Sequence, residues 1–134
     1  AWPDRLKERL NLKWEKKLSP SYSGPLIHED QVLTTETVDK QYEKVTAFAL
    51  SDGSERWTAQ WEGSMAVPFF AAANGDWIRS TPACDGKRLV VAGMRDVIAC
   101  LDAKTGSEIW RNDLPKQQGT PLQSFGCVCS PLID

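Results

Sequence analysis

The sequence predicts an all-β chain built of repeated four-stranded antiparallel units. Three observations predict it: a thirteen-residue segment ending in tryptophan occurs twice, a proline-bearing segment occurs three times, and the runs between them are short, apolar and bounded by turn residues. Repetition is weighed first because overlooking it mis-assigns a whole fold.

In the first repeat Val45 to Trp57 aligns on Ile98 to Trp110. This sets Gly53, Ser54, Glu55 and Trp57 on Gly106, Ser107, Glu108 and Trp110, 53 residues apart. In the second, Gly24-Pro25-Leu26-Ile27-His28 aligns on Thr81-Pro82-Ala83-Cys84-Asp85, 57 residues on, and again on Ser130-Pro131-Leu132-Ile133-Asp134. The sequence is expected to stop where a third unit opens.

The elements follow in order. In the lead-in, residues 1–18, Asp4 is placed to cap a short helix over Arg5 to Arg9, with Leu6 and Leu10 on one face. Leu12 to Leu18 then alternates in the manner of a strand with one packed face, the fourth strand of a preceding unit. The first unit, residues 19–60, is expected to run through strands Pro25 to His28, Gln31 to Thr37, Lys44 to Leu50 and Ser54 to Gln60. Residues 61–79 form a long connection holding Trp61, Met65, Phe69, Phe70 and Trp77 among glycines and alanines. Long loops on a rigid scaffold are where binding tends to reside.

The second unit, residues 80–114, repeats the order. Thr81 to Cys84 leads into Asp85-Gly86, a dipeptide suited to a type I′ hairpin. Arg88 to Ala92 is apolar on both faces and predicts a strand covered on both sides. Gly93 to Arg95 turns the chain into Asp96 to Leu101, Ala103 to Gly106 makes a type I turn with a left-handed glycine, and Ser107 to Leu114 is the fourth strand. Residues 115–134 begin a third unit.

Composition bounds the function. With 18 acidic and 16 basic side chains the formal net charge is −2, which gives no electrostatic pull towards nucleic acid. The 41% hydrophobic content suits a folded globular chain. The longest apolar stretch, Met65 to Ala73, is too short for a membrane span and is interrupted by Pro68. The chain begins at Ala1, so a targeting segment is expected to have been removed or to lie outside this piece.

Four cysteines, Cys84, Cys100, Cys127 and Cys129, show neither a Cys-x-x-Cys nor a zinc spacing. Hairpin order places Cys84 on the first strand of its unit and Cys100 on the third. A strand between them disfavours a disulfide, which needs Cα atoms within about 7 Å. The single histidine, His28, has no nucleophile or second ligand at motif spacing. No residue is assigned a catalytic, cofactor-binding or metal-binding role.

Four-stranded units recurring at this spacing, each ending in a tryptophan-bearing strand, predict the radial sheets of a partial β-propeller. The Gly-His and Trp-Asp marks of the WD40 class and the paired glycines of Kelch repeats are absent. The run Leu101-Asp102-Ala103-Lys104-Thr105-Gly106-Ser107-Glu108-Ile109-Trp110 closely resembles the repeat of pyrroloquinoline-quinone-type (PQQ-like) propellers, Leu-Asp-Ala-x-Thr-Gly-x-x-x-Trp. The first copy departs from it with Ala49 for the aspartate and Asp52 for the threonine, while keeping Gly53 and Trp57. The resemblance extends over Leu12 to Asp134.

The motif's expected role is docking. A glycine takes the left-handed turn, and the tryptophan four residues later lies flat between adjacent sheets. Trp14, Gly53, Trp57, Gly106 and Trp110 are therefore the expected blade-docking residues. Burying about 150 to 250 Å² of indole is worth at most about 4 to 6 kcal/mol gross per junction. Trp61, Phe69, Phe70 and Trp77 fall outside that register and are the candidate binding residues. A propeller closes with about four to eight blades, so two units need the remaining blades of the same propeller as partners.

Many members of the resembling family lack the quinone and act as extracytoplasmic platforms, such as the propeller lipoprotein of outer-membrane barrel assembly. That resemblance implies a non-enzymatic, cofactor-free scaffold, periplasmic or otherwise extracytoplasmic, offering loops to a protein or glycan. The alternative it implies is part of a PQQ-dependent alcohol or sugar dehydrogenase, with calcium holding the quinone. Such enzymes often cover the cofactor with a disulfide between adjacent cysteines, whereas Cys127-Val128-Cys129 has a residue between.

Overall fold

The computed structural model describes residues 10–134. Two four-stranded antiparallel sheets account for its regular structure. The first orders β1 (Leu26–His28), β2 (Gln31–Val38), β3 (Tyr42–Ala49) and β4 (Glu55–Glu62) as neighbours in sequence order. The second does the same with β5 (Ala83–Cys84), β6 (Arg88–Ala92), β7 (Val97–Asp102) and β8 (Glu108–Asp113). Each is a simple meander, as short links between consecutive strands dictate.

Alternation decides which side chains face the partner sheet. Across the first sheet the rows Leu33, Ala47, Trp57 and Thr35, Val45, Ala59 and Thr37, Glu43, Trp61 stand side by side. Across the second, Leu89 pairs with Leu101 and Val91 with Ala99. These faces meet in one core that also takes in Ile78, Val97 and Ala103. The two sheets are thus two blades of a β-propeller, packed face to face.

Several local expectations change in the structure. The helix expected over Arg5 to Arg9 lies outside the described residues. Leu12 to Leu18 is not a strand: it joins no ladder, because no described strand lies beside it to share hydrogen bonds. The type I′ geometry falls not at Asp85-Gly86 but at Asp39 and Lys40, both with positive φ. Gly86 alone takes a positive φ in its turn, and the Asp85 carboxylate accepts the amides of Lys87 and Arg88. After β8 a short helix, α1 (Leu114–Gln118), begins where Asp113 accepts the Lys116 amide and ends at left-handed Gly119. β6 lies between the strands of Cys84 and Cys100, in the order expected.

Candidate functional site at the junction of the two blades

The turn before each repeated tryptophan is built the same way from different side chains. In the second copy Asp102 Oδ1 accepts the amides of Lys104 and Thr105 and the Thr105 hydroxyl, while Gly106 N–H donates to Asp102 O at 2.8 Å. In the first, Ala49 cannot do this. Asp52 instead accepts the Ser54 amide and hydroxyl, and Gly53 N–H donates to Ala49 O at 2.9 Å. The carboxylate has moved three residues along and closes the same turn from the other side. These donors hold both carboxyls below the usual aspartate range, the Thr105 amide foremost for Asp102 and the Ser54 amide for Asp52.

Each turn receives a tryptophan from the preceding part of the chain. The Trp57 ring lies so close over Gly106 that a Cβ there would overlap it, and Gly106 has φ +72°. Trp14 lies over Gly53 in the same manner, with a Cβ position 2.7 Å from its ring and φ again +72°. Trp14 Nε1 also donates to Leu50 O at 2.9 Å. At the equivalent place one repeat later, Ala103 O accepts Gln31 Nε2 at 2.8 Å instead, and Trp57 Nε1 has no acceptor among the described residues. Trp57 is buried, whereas Trp110, on the outward face of the second blade, is 42% exposed.

The proline-bearing repeat forms a second line of contacts. Gly24 N–H donates to Thr81 Oγ1 at 3.3 Å, and Thr81 N–H donates to Ser130 Oγ at 3.1 Å. Equivalent positions of three successive units are joined by one kind of bond.

The expected binding residues divide three ways. Trp61 is a correction: it belongs to β4 and not to the loop, is buried in the junction, and pairs with Glu43. β4 keeps pairing with β3 as far as Glu62, two residues beyond the expected Gln60, while β8 ends at Asp113. Trp77 stacks on Tyr22 with ring centroids 5.2 Å apart and covers Gly75, folding the connection back on the first blade. Arg79 lies over the other aromatic of this pair, 5.1 Å from the Tyr22 centroid. Phe69 and Phe70, on a 3₁₀ turn (Phe69–Asn74), are 92% and 68% exposed. Phe70 contacts Phe125 edge to face at 6.2 Å, so the two long connections share one aromatic ridge. Residues 63–75 carry no charged side chain.

Sequence reasoning overlooked Glu43. It is wholly buried in the junction. Oε1 accepts the Met94 amide at 2.5 Å from the β6–β7 turn of the other blade, and Oε2 accepts Trp61 Nε1 at 3.2 Å. Burial pushes its carboxyl up to about 7, against the opposing pull of those donors and of Arg95. The available signal was its place in the inward set with Val45 and Ala47, together with Gly63 and Gly93, whose missing side chains leave it room.

No three His, Cys, Asp or Glu among the described residues converge where a metal could be held. Glu43, the buried carboxylate of the junction, has both oxygens turned on N–H donors.

Geometry and repeat together define a propeller segment whose blades are joined through Trp-on-Gly contacts. Residues 41–130, more than half of the chain, match the PQQ-type repeat model described as outer membrane protein assembly factor BamB, and the chain belongs to that family. No curated protein sequence matches it. Among solved structures it is similar to BamB from Moraxella catarrhalis at 20% identity and a TM-score of 0.51, covering 75% of this chain and 26% of that one. It is also similar to a europium-containing methanol dehydrogenase at 22% identity and a TM-score of 0.55, covering 78% of this chain and 18% of that one. A quinohemoprotein alcohol dehydrogenase from Comamonas testosteroni gives 19%, 0.51, 75% and 14% for the same quantities. At such identities the likeness is one of fold, and the chain spans about a quarter of those structures or less.

Proposed function

We propose that the chain is part of a non-enzymatic propeller scaffold in a periplasmic or otherwise extracytoplasmic protein, and that it presents its inter-blade connections to a protein or glycan partner. Trp14, Trp57 and Trp110 dock successive blades on the glycines of the following turns. Phe69 and Phe70 face outward at the opposite end of the blades, beside Phe125. The observation that carries the reading is the contrast within one connection: Trp61 and Trp77 are consumed by packing, while Phe69 and Phe70 remain exposed on a charge-free loop. Exposed aromatics grouped on a rigid support favour binding over stability. The extracytoplasmic setting is supported by membership of a family described by outer membrane assembly. No helix among the described residues is long and apolar enough to cross a membrane.

The test is made on the complete protein. Photo-crosslinking residues placed at positions 69 and 70 are expected to trap an adduct in producing cells, and positions 87 and 104 on the opposite turns are not. Equal trapping at all four would remove the assignment. Calorimetry with pyrroloquinoline quinone and calcium is expected to give no saturable heat; a saturable signal would favour the dehydrogenase reading, to which two of the similar structures belong by name.

A further inference from the structure

Glu43 is the one acidic side chain in the inward rows of the first blade, and its surroundings are built for it. A Cβ on Gly93 would overlap its carboxylate, and one on Gly63 would stand 2.6 Å from Oε2. Both glycines are at turns: Gly93 opens the β6–β7 turn and Gly63 follows β4. The carboxylate therefore bridges the blades at the point where the long connection leaves the first one. Arg95 N–H donates to Gly63 O at 3.2 Å beside it. Met94 extends the link, since its N–H donates to Glu43 and its C=O accepts Cys127 N–H at 3.0 Å from the segment leading to the next unit.

The groups facing Glu43 can be named element by element. From β2 its neighbour is the uncharged Thr37, and from β4 it is Trp61. The β6–β7 turn brings Arg95, whose charge favours the ionised carboxylate and is itself shared with Asp113 at 3.0 Å. The segment after α1 brings the Cys127 thiol, which burial foremost, and to a smaller extent the charges of Asp96 and Glu43, keeps protonated. Lys44 and Glu36 pair with each other on the opposite face of the sheet.

We propose that Glu43 is a proton-operated latch between the two blades: neutral, it fits the apolar junction and lets the blades close; ionised, it places there a charge shared by only two N–H donors, and the junction loosens. The direction follows from linkage. A carboxyl whose folded value lies above its ordinary 4.5 binds its proton more tightly in the folded state. Its contribution is thus complete below 4.5, is lost as pH rises towards about 7, and is constant beyond. Mild acid tightens this junction, opposite to the usual behaviour of a surface ion pair.

The experiment uses the complete protein with ¹⁵N-labelled methionine and tryptophan. The Met94 amide and the Trp61 indole resonances are expected to titrate together with a midpoint near 7, and the wild-type melting temperature to fall by several degrees from about pH 5 to about pH 8 relative to Glu43→Gln. Resonances that move at the ordinary carboxylate value, or do not move, overturn the latch. So does a Glu43→Gln protein whose melting profile runs parallel to wild type. Should that variant fail to fold, the wild-type titration decides alone.

Discussion

The Trp57 indole lies on the bare Cα of Gly106, across the junction from its own blade, at a turn where φ is +72°. Glycine is needed there for two separate reasons. The left-handed backbone disfavours any side chain, and the ring occupies the space a side chain would take. The two residues therefore act as one contact, and the same contact recurs as Trp14 on Gly53.

Gly106→Ala is expected to lose about 1 to 2 kcal/mol from the left-handed backbone and about 1 to 3 kcal/mol more from overpacking against the ring. Gly119→Ala shares the positive φ but meets nothing within 4 Å, so only the first loss applies. Urea unfolding of both variants measures the difference; equal losses would show that the Trp57 ring gives way freely.

Trp57→Ala removes a buried ring and is expected to cost about 3 to 5 kcal/mol. Trp110→Ala is expected to reach a similar loss in the complete protein, given the proposed docking of a following blade on the outward face. A loss below about 1 kcal/mol for Trp110→Ala, of the size usual for surface substitutions, would remove the docking role from this position.

Asp102→Ala is expected to lower the melting temperature at neutral pH, because three donors lose their acceptor at once. Those donors depress its carboxyl, so the stabilisation is present above the ordinary aspartate value and disappears as pH falls through the folded one. The gap between wild type and variant should narrow from about pH 7 to about pH 3, below the ordinary aspartate value of about 3.9. A gap that stays constant would mean the side chain acts through packing alone.

Cys100 is fully buried on β7, and burial pushes its thiol up, so alkylating reagents should reach it only after unfolding. Mass spectrometry of labelled native protein checks this. A Cys84–Cys100 disulfide formed under mild oxidation would contradict the strand order, because β6 runs between the two.

Much of the architecture was legible because it repeats. The Gly-x-x-x-Trp spacing needs only local rules, namely a left-handed glycine and an aromatic one strand-step beyond, and two copies at one offset exposed the unit length. Turn type was less legible: Asp85-Gly86 carries the dipeptide favoured for type I′, yet side-chain acceptance by Asp85 gave its hairpin another geometry, and Asp39-Lys40 took up type I′ without any glycine. Leu12 to Leu18 shows the same limit for strands, since alternation marks a face but only a neighbouring backbone completes a ladder.

The sequence by itself determined the four-stranded unit, its order and the spacing of each turn glycine from the tryptophan four residues on, because all of these depend on residues close together in the chain, whereas the glycine each tryptophan covers lies across the junction, Gly106 for Trp57 and Gly53 for Trp14. Tertiary structure alone decided which aromatics of the long connection are buried, and that Glu43 reaches the other blade. Those outcomes depend on what lies across the junction, and no spacing along one strand encodes the surface that will close over it.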